Sequence, residues 1–194
     1  MRMRSLTDSL NLEHERSQGF LVLMRSERES KLMQASLDVL RDAGLNFKSL
    51  SADEAHTIEP ALNQETALHQ AIHFPEDNIG NCRQFSLLLK NEAEALGVQF
   101  FLNTQVQPLT HAAPKTIRTS TNTPGEKFDA VVVCAGLGSA ALLRPLGLKI
   151  PLAAVHGYVI SAALREPLDA PRSGVMDEQY KIAISRLGQR VRVS

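Results

Sequence analysis

The sequence is poor in cysteine, has no excess charge of either sign and contains no long apolar run. Its two cysteines, Cys82 and Cys134, lie far apart and outside any CxxC motif, so they signal neither a zinc site nor a disulfide. Lysine plus arginine number 21, as do aspartate plus glutamate, so charge does not favour nucleic acid or an anionic membrane as a partner. The longest apolar stretch, around residues 130–135, is too short for a signal peptide or a membrane span. We therefore expect a reduced, cytoplasmic chain without a metal or nucleic-acid site.

Apolar residues alternate between helical and strand-like spacing along the chain, which predicts a mixed α/β fold. Strands are predicted at residues 19–25, 45–50, 67–74, 98–103, 104–109, 116–120, 128–136 and 150–163, and helices at 27–43, 51–59, 84–96 and 139–146. Ser51 and Glu54 match a capping box at the start of the second helix. Residues 1–18 are predicted to be weakly helical at best and 75–85 and 164–178 to be loops, whereas 180–186 with 190–193 should form a hairpin.

The segment FDAVVVCAGLGSAA, residues 128–141, is the clearest candidate for chemistry. Three consecutive valines without alternation predict a strand covered on both faces, as in a parallel sheet. The following GLGSAA, from Gly136 to Ala141, fits GxGxxA, a turn that can bring a nucleotide phosphate to a helix N-terminus. No acidic ribose ligand follows at the usual distance, so a turn that only needs small residues for packing remains an equal interpretation.

Three further groups carry weaker signals. We expect Cys134 to be a buried packing residue rather than a nucleophile, since free cysteine is among the most buried residue types. His156 and Tyr158 lie in a predicted strand and suit a base and a hydroxyl donor, although a structural histidine is more common. Tyr180 and Arg186 are six residues apart in the predicted hairpin, hence on one face, where they would suit a carboxylate or form a solvated surface.

Several segments together resemble one family, the flavin-dependent D-amino acid dehydrogenases of the small-subunit type, within the D-amino acid oxidase-like fold. The segments are IEPAL at 58–62, FPEDNIGNCRQF at 74–85, FLNTQV at 101–106, FDAVVVCAG at 128–136, IPLAAVHGY at 150–158 and GVMDEQYKIAISRLGQRVRV at 174–193. Their order and spacing cover nearly the whole chain after Gly19, and the last segment is the most specific.

The resemblance implies part of an FAD-binding Rossmann-like domain joined to an antiparallel-sheet substrate domain. Residues 1–80 would belong to the substrate or cap domain, 81–148 to the FAD-binding domain, and 149–194 would supply substrate-domain strands and a hairpin. The family's first GxGxxG turn and its later flavin-binding stretch have no counterpart in the sequence. We therefore expect the central part of a longer protein, and low stability for the chain in isolation.

The resemblance also assigns roles to five residues. Val106 matches the position whose backbone contacts the adenine of FAD, and Ala135 and Gly136 match a turn close to the cofactor. This makes the GLGSAA turn a secondary flavin contact. Tyr158 and Tyr180 fall on strands that face the flavin, so they are candidates for lining the amino-acid pocket.

The implied reaction is hydride transfer from the Cα of a D-amino acid to the flavin, after which the imino acid hydrolyses to a 2-oxo acid and ammonia. No catalytic base is assigned. An acceptor such as the respiratory chain would take the electrons, with the protein cytoplasmic or peripheral to the inner face of the membrane. Two alternatives stay open: a non-catalytic remnant without flavin, and a module that binds NAD at residues 136–141.

The sequence departs from the family pattern at two positions. His156 stands where a lysine or arginine is usual before Gly-Tyr, and Asn81 stands where an aspartate is usual after Gly80. Neither departure bears directly on the implied chemistry.

Overall fold

The computed structural model describes residues 2–121 and 124–194, and the chain divides into two compact units. Unit 1 comprises the residues up to Leu96 together with Gly157–Ser194, and unit 2 is Gly97–His156. In chain order the elements are α1 (Arg2–Ser9), β1 (Arg16–Met24), α2 (Glu27–Asp42), β2 (Lys48–Leu50), α3 (Ala52–Ile58), β3 (Gln70–Gly80), α4 (Cys82–Ala95), β4 (Thr116–Ile117), β5 (Glu126–Lys127), α5 (Gly138–Leu143), β6 (Ile160–Ala163), β7 (Gly174–Asp177), β8 (Ile182–Leu187) and β9 (Arg190–Val193). Short 3-10 turns lie at Arg144–Leu146 and Pro167–Asp169.

Unit 1 is built on a seven-stranded sheet in the order β2-β3-β1-β7-β8-β9-β6. All its neighbours are antiparallel except β1 and β7, which run parallel with Leu21 opposite Val175. The sheet therefore joins the first strand of the chain to a hairpin near the last residue.

Strand β1 is apolar on both faces because both faces are covered. Leu21 belongs to one buried cluster with Ala55 of α3, and Val22 and Met24 belong to the other with Leu37 of α2. Side chains alternate between faces along a strand, so the continuous run FLVLM serves two cores at once. Full burial of each large aliphatic side chain contributes about 1.5–3 kcal/mol.

The helix starts of unit 1 follow local capping rules. The Ser26 hydroxyl accepts from the Glu29 N–H at the start of α2. Ser51 and Glu54 form the predicted capping box, with the Ser51 N–H donating to Glu54 Oε2 at 2.7 Å. Asn81 caps α4 by accepting from the Gln84 N–H. The predicted helices here are confirmed because their signals lie within a few residues of each helix.

Unit 2 has little regular structure. Strands β4 and β5 form a two-residue antiparallel ladder, and Val106 pairs with Thr119 in an isolated bridge. The Leu109 N–H donates to the Leu142 carbonyl at 3.0 Å and ties this region to α5. Within the described part of unit 2, Leu109, Thr119 and Ser139 are the buried side chains, so the core is small.

The prediction of a buried strand at 128–136 is wrong for this chain. Residues 130–135 adopt no strand, Val132 is 85% exposed and Cys134 is exposed rather than packed. A strand of this composition needs neighbours along both edges and cover on both faces. None of the described strands pairs with it, and of its three valines none is buried.

Other strand boundaries also differ from the predictions. Residues 98–103 form no strand, and the predicted strand 104–109 is reduced to the single bridge at Val106. Of the predicted strand 150–163 only Ile160–Ala163 pairs, and the predicted loop 164–178 contains β7. The predicted loop after Phe74 instead continues β3 to Gly80, because β1 begins at Arg16 and supplies its partner.

Candidate functional site

Unit 2 contains a cavity of about 300 Å³ around Val106. It is lined by Phe101, Thr104, Val106, Ile117, Thr119, Thr121, Glu126 and Phe128. Four of these side chains are apolar, three carry hydroxyls and one carries a carboxylate. Apolar walls with a few polar groups suit a flat heterocycle whose edges make hydrogen bonds.

The backbone of Val106 is free to bind such an edge. The Gln107 N–H donates to the Arg118 carbonyl at 2.8 Å, and the Ser120 N–H donates to the Gln105 carbonyl at 3.3 Å. These two bonds flank the pair Val106–Thr119, which is therefore the non-hydrogen-bonded type of antiparallel pair. The N–H and C=O of Val106 consequently point away from Thr119, and no residue in 2–121 or 124–194 bonds to them. One free donor and one free acceptor remain at the predicted adenine contact.

Ala135 and Gly136 form an exposed turn at the start of α5. The Gly138 N–H donates to the Ala135 carbonyl at 3.0 Å, and the Ser139 N–H donates to the Gly136 carbonyl at 3.0 Å. Gly136 has φ +53°, a left-handed backbone conformation that residues with a Cβ rarely adopt. A Cβ built at Gly136 would meet no atom within 4 Å, so open space adjoins the turn. Ala135 and Gly136 do not line the Val106 cavity.

The helix after this turn is short. Helix α5 has six residues and no side-chain cap, so its N-terminus offers only a weak anion site. This geometry does not favour the interpretation of GLGSAA as a main pyrophosphate loop.

The two candidate tyrosines lie in unit 1 but in different places. Tyr158 precedes β6 in a segment without regular secondary structure and is 94% exposed. Tyr180 is 58% exposed and lies in the turn between β7 and β8, with the Arg25 guanidinium 5.0 Å from its ring centroid. The expectation that Tyr180 and Arg186 share one strand is wrong, because β8 begins only at Ile182. Arg186 instead donates through Nη2 to the Pro167 carbonyl at 2.7 Å.

Glu59, inside the IEPAL segment, is a buried residue that the sequence reasoning missed. Its Oε2 accepts from the N–H groups of Arg172 at 2.7 Å and Ser173 at 3.0 Å, and from the Ser173 hydroxyl at 3.1 Å. Its Oε1 is buried without a partner in the described part of the chain. The carboxylate therefore fixes the chain just before β7. A charged residue within an otherwise apolar segment was the available signal.

Glu15 explains the departure at Asn81. The Asn81 side-chain amide donates to Glu15 Oε2 at 2.7 Å, and Arg190 Nη2 donates to the same oxygen at 2.8 Å. The amide hydrogen bond from Asn81 is the main cause that holds the pKa of Glu15 below its ordinary value; burial opposes it, and the hydrogen bond and charge of Arg190 add smaller lowering effects. An aspartate at position 81 would place a second carboxylate against Glu15, so asparagine is the compatible residue here.

His73 on β3 is the other titratable group of interest in this sheet. Burial, and then the positive charge of Lys48 opposite it on β2, lower the pKa of His73. His73 and His69 are four residues apart, but across the described residues no three metal-ligating side chains come together. In the same part of the chain, no helix has the length and apolarity needed to cross a bilayer.

Comparison with known proteins gives consistent matches. The family model described as "FAD dependent oxidoreductase" (DAO) matches residues 2–194. A D-amino acid dehydrogenase from Bradyrhizobium diazoefficiens is 34% identical over 193 residues, and one from Vibrio atlanticus is 35% identical over 192 residues. These matches cover 98% and 97% of this chain and 46% of each relative. The chain thus spans about half the length of the curated relatives it matches.

Solved structures show the same fold at lower identity. Glycine oxidase from Geobacillus kaustophilus matches with a TM-score of 0.83 and 22% identity, over 98% of this chain and 52% of that chain. L-proline dehydrogenase from P. horikoshii matches with a TM-score of 0.79 and 16% identity, over 98% and 51%. The mixed α/β fold predicted from the sequence is therefore confirmed as part of the fold of those proteins.

Proposed function

Because this chain belongs to the family of FAD dependent oxidoreductases, we propose that it forms part of an enzyme that oxidatively deaminates D-amino acids to 2-oxo acids and ammonia. The observation that carries the proposal is the 34% and 35% identity to two D-amino acid dehydrogenases along almost the whole chain. Since the chain covers 46% of each of them, the proposed activity is that of a longer enzyme to which these residues contribute.

FAD is the proposed cofactor, and when bound it supplies the acceptor for the hydride that leaves the substrate Cα. The cavity around Val106 fits the adenine end, because its walls are apolar and the Val106 backbone has a free donor and a free acceptor. The open backbone at Ala135 and Gly136 suits a second contact with the cofactor. The contribution of this chain is binding and orientation.

The substrate is proposed to be a D-amino acid. Tyr158 and Tyr180 are both exposed and would present phenol hydroxyls to it, which suits recognition of a carboxylate. The electrons would pass to an acceptor such as the respiratory chain, with the enzyme cytoplasmic or peripheral to the inner face of the membrane. No residue of this chain is assigned as a base.

The direct test is D-alanine-dependent dye reduction by the longer enzyme to which these residues contribute, with the purified chain supplied with FAD assayed beside it and L-alanine as the stereochemical control. The proposal expects dye reduction and 2-oxo acid release with the D-isomer alone. A protein that stays colourless after FAD addition and reduces no dye would contradict an enzymatic role for this chain by itself and would favour the non-catalytic alternative.

A pair of glycine variants tests the cofactor contact. Gly136→Val should weaken FAD binding, measured by quenching of flavin fluorescence, because valine is strained at φ +53°. Gly138→Ala is the matched control, since its added Cβ meets only Ala135 at an ordinary 3.7 Å. Equal FAD affinity for both variants would argue against a contact at this turn.

The NAD alternative is separated by a thermal-shift titration. The proposal expects FAD to raise the melting temperature and NAD to leave it unchanged, because a ligand that binds only the folded state stabilises it. Stabilisation by NAD but not by FAD would overturn the proposal.

A further inference from the structure

A charged and aromatic cluster lies where two parallel strands end. Arg25 directly follows β1, and Asp177 is the last residue of β7. The parallel register sets Leu23 opposite Asp177, so the carboxyl ends of the two strands bring Arg25 and Asp177 together. Tyr180 follows three residues later, in the turn to β8. Ligand sites of α/β proteins commonly form at the carboxyl ends of parallel strands.

The Arg25 guanidinium contacts both neighbours at once. Its Nε donates to Asp177 Oδ2 at 2.9 Å, and its Nη2 donates to the same oxygen. Its central carbon lies 5.0 Å from the Tyr180 ring centroid. The side chains of Arg25 and Asp177 are only 31% and 12% exposed, so solvent screens this pair less than an open surface pair. A planar guanidinium that is hydrogen-bonded at one edge can stack an aromatic ring on its face.

The second oxygen of Asp177 acts on the main chain of the same turn. Oδ1 accepts from the N–H groups of Gln179 at 3.1 Å and Tyr180 at 3.4 Å. Lys181, with φ +53°, closes the turn in the left-handed region and pairs with Glu178. The Asp177 carboxylate therefore accepts a hydrogen bond from the Tyr180 backbone and also anchors Arg25, which lies over the Tyr180 ring.

We propose that Arg25 is a positioning residue that fixes the orientation of the Tyr180 ring, with Asp177 as the anchor they share. The bearing of this on catalysis rests on the proposed function, in which Tyr180 lines the amino-acid pocket. There the fixed ring would present its hydroxyl in one direction and restrict which substrate side chains fit. A lysine could keep the charge of Arg25 but not the two-donor, planar contact.

The chain is well suited to a spectroscopic test, because it has two tyrosines and no tryptophan. In a Tyr158→Phe background, the tyrosine region of the near-ultraviolet circular dichroism spectrum reports on Tyr180 alone. Arg25→Met should reduce this band by more than about half, because the ring loses its stacking partner. Arg41→Met is the matched control: Arg41 also pairs with an aspartate, Asp38, and lies 5.5 Å from the Phe47 ring. The Arg41→Met substitution should leave the tyrosine band unchanged.

Two more variants keep the test decisive if Arg25→Met unfolds. Arg25→Lys should give a folded chain with an intermediate band. Asp177→Asn keeps an acceptor for the turn and loses the charge that anchors Arg25, so its band should also fall. Far-ultraviolet spectra and melting curves show that each variant is folded when measured. A full tyrosine band in folded Arg25→Lys and Asp177→Asn would overturn the proposal.

The spectroscopic result is independent of flavin and substrate. If the band depends on Arg25 while the D-alanine and FAD assays fail, the positioning role stands and the proposed function falls. If D-alanine oxidation is found while the tyrosine band is the same with and without Arg25, the proposed function stands and the positioning role falls.

Discussion

Unit 1 and unit 2 have comparably apolar sequences but very different burial. In unit 1 the sheet gives every strand a partner, and β1 buries Leu21 on one face and Val22 and Met24 on the other. In unit 2 the valines at 131–133 have no described strand beside them, and Val132 is almost fully exposed. An apolar run therefore specifies a buried strand only where the chain also supplies neighbours for its edges and faces.

The largest expected difference between the units comes from truncating one apolar side chain in each. Leu21→Ala should lower the free energy of unfolding by about 2–5 kcal/mol, because it leaves a cavity between β1 and α3. Val132→Ala should change it by less than about 0.5 kcal/mol, because that side chain already contacts solvent. Urea unfolding followed by circular dichroism measures both. A Val132→Ala cost as large as that of Leu21→Ala would mean that the valine strand is buried in solution.

A second, smaller effect tests how unit 1 fixes β7. Glu59→Gln should lower the free energy of unfolding by about 1–3 kcal/mol, because a neutral amide replaces the carboxylate that accepts three hydrogen bonds. Ser173→Ala removes one of those donors and should cost about 1 kcal/mol. If Glu59→Gln proves as stable as the parent, the carboxylate is not what holds this segment.

The Asn81 contact should give a still smaller effect with a defined pH dependence. Asn81→Asp should cost about 1 kcal/mol at neutral pH, because it sets two carboxylates against each other at Glu15. The pKa of Glu15 is lowered in the folded chain, so its stabilising contribution is complete above its ordinary value of 4.5 and is lost as pH falls through the folded value. The parent should therefore lose stability in acid faster than Asn81→Asp, and the two unfolding curves should converge. Curves that stay parallel from neutral to acid pH would contradict this pairing.

The smallest effect concerns His73. Its pKa is lowered in the folded chain, so as pH falls below the ordinary value of 6.5 the unfolded chain takes up the proton first. Stability should therefore decrease between pH 6.5 and the lower folded value, and His73→Gln should remove this slope. His111→Gln, at an exposed position in unit 2, is the control that should keep it. A parent melting temperature that is flat across this range would rule out the effect.

Features encoded within a few residues could be predicted from the sequence. Helices α2 and α3 follow from their caps and apolar spacing, and the hairpin β8–β9 from two apolar runs around a glycine turn. Strand β7 was missed because its four residues become a strand by pairing with β1, which is distant in sequence. Its own composition carries little strand signal.

Prediction of the candidate site from the sequence is limited in the same way, because its contacts depend on pairing between separate segments. The resemblance to the D-amino acid dehydrogenases, and with it the family, is confirmed. The roles of Val106, Ala135, Gly136, Tyr158 and Tyr180 stay predictions, as does the assignment of residues 1–80, 81–148 and 149–194 to substrate and FAD domains. The free backbone groups of Val106 follow from its register with Thr119, and the contact of Arg25 with Tyr180 from the β1–β7 pairing. Neither register can be read from local sequence.

The parallel pairing of β1 with β7 has a consequence for the order of folding during synthesis. Its two strands are separated by about 150 residues, so the central ladder of the sheet closes only after Asp177 has left the ribosome. Until then β1 can pair with β3 on one edge. Its other edge has no strand partner, and the side chain of Leu21 lacks its packing contact with Val175. Closing such long-range contacts late is slow and leaves strand edges open to association. Nascent chains that stop before β7 should therefore be the most aggregation-prone forms of this protein.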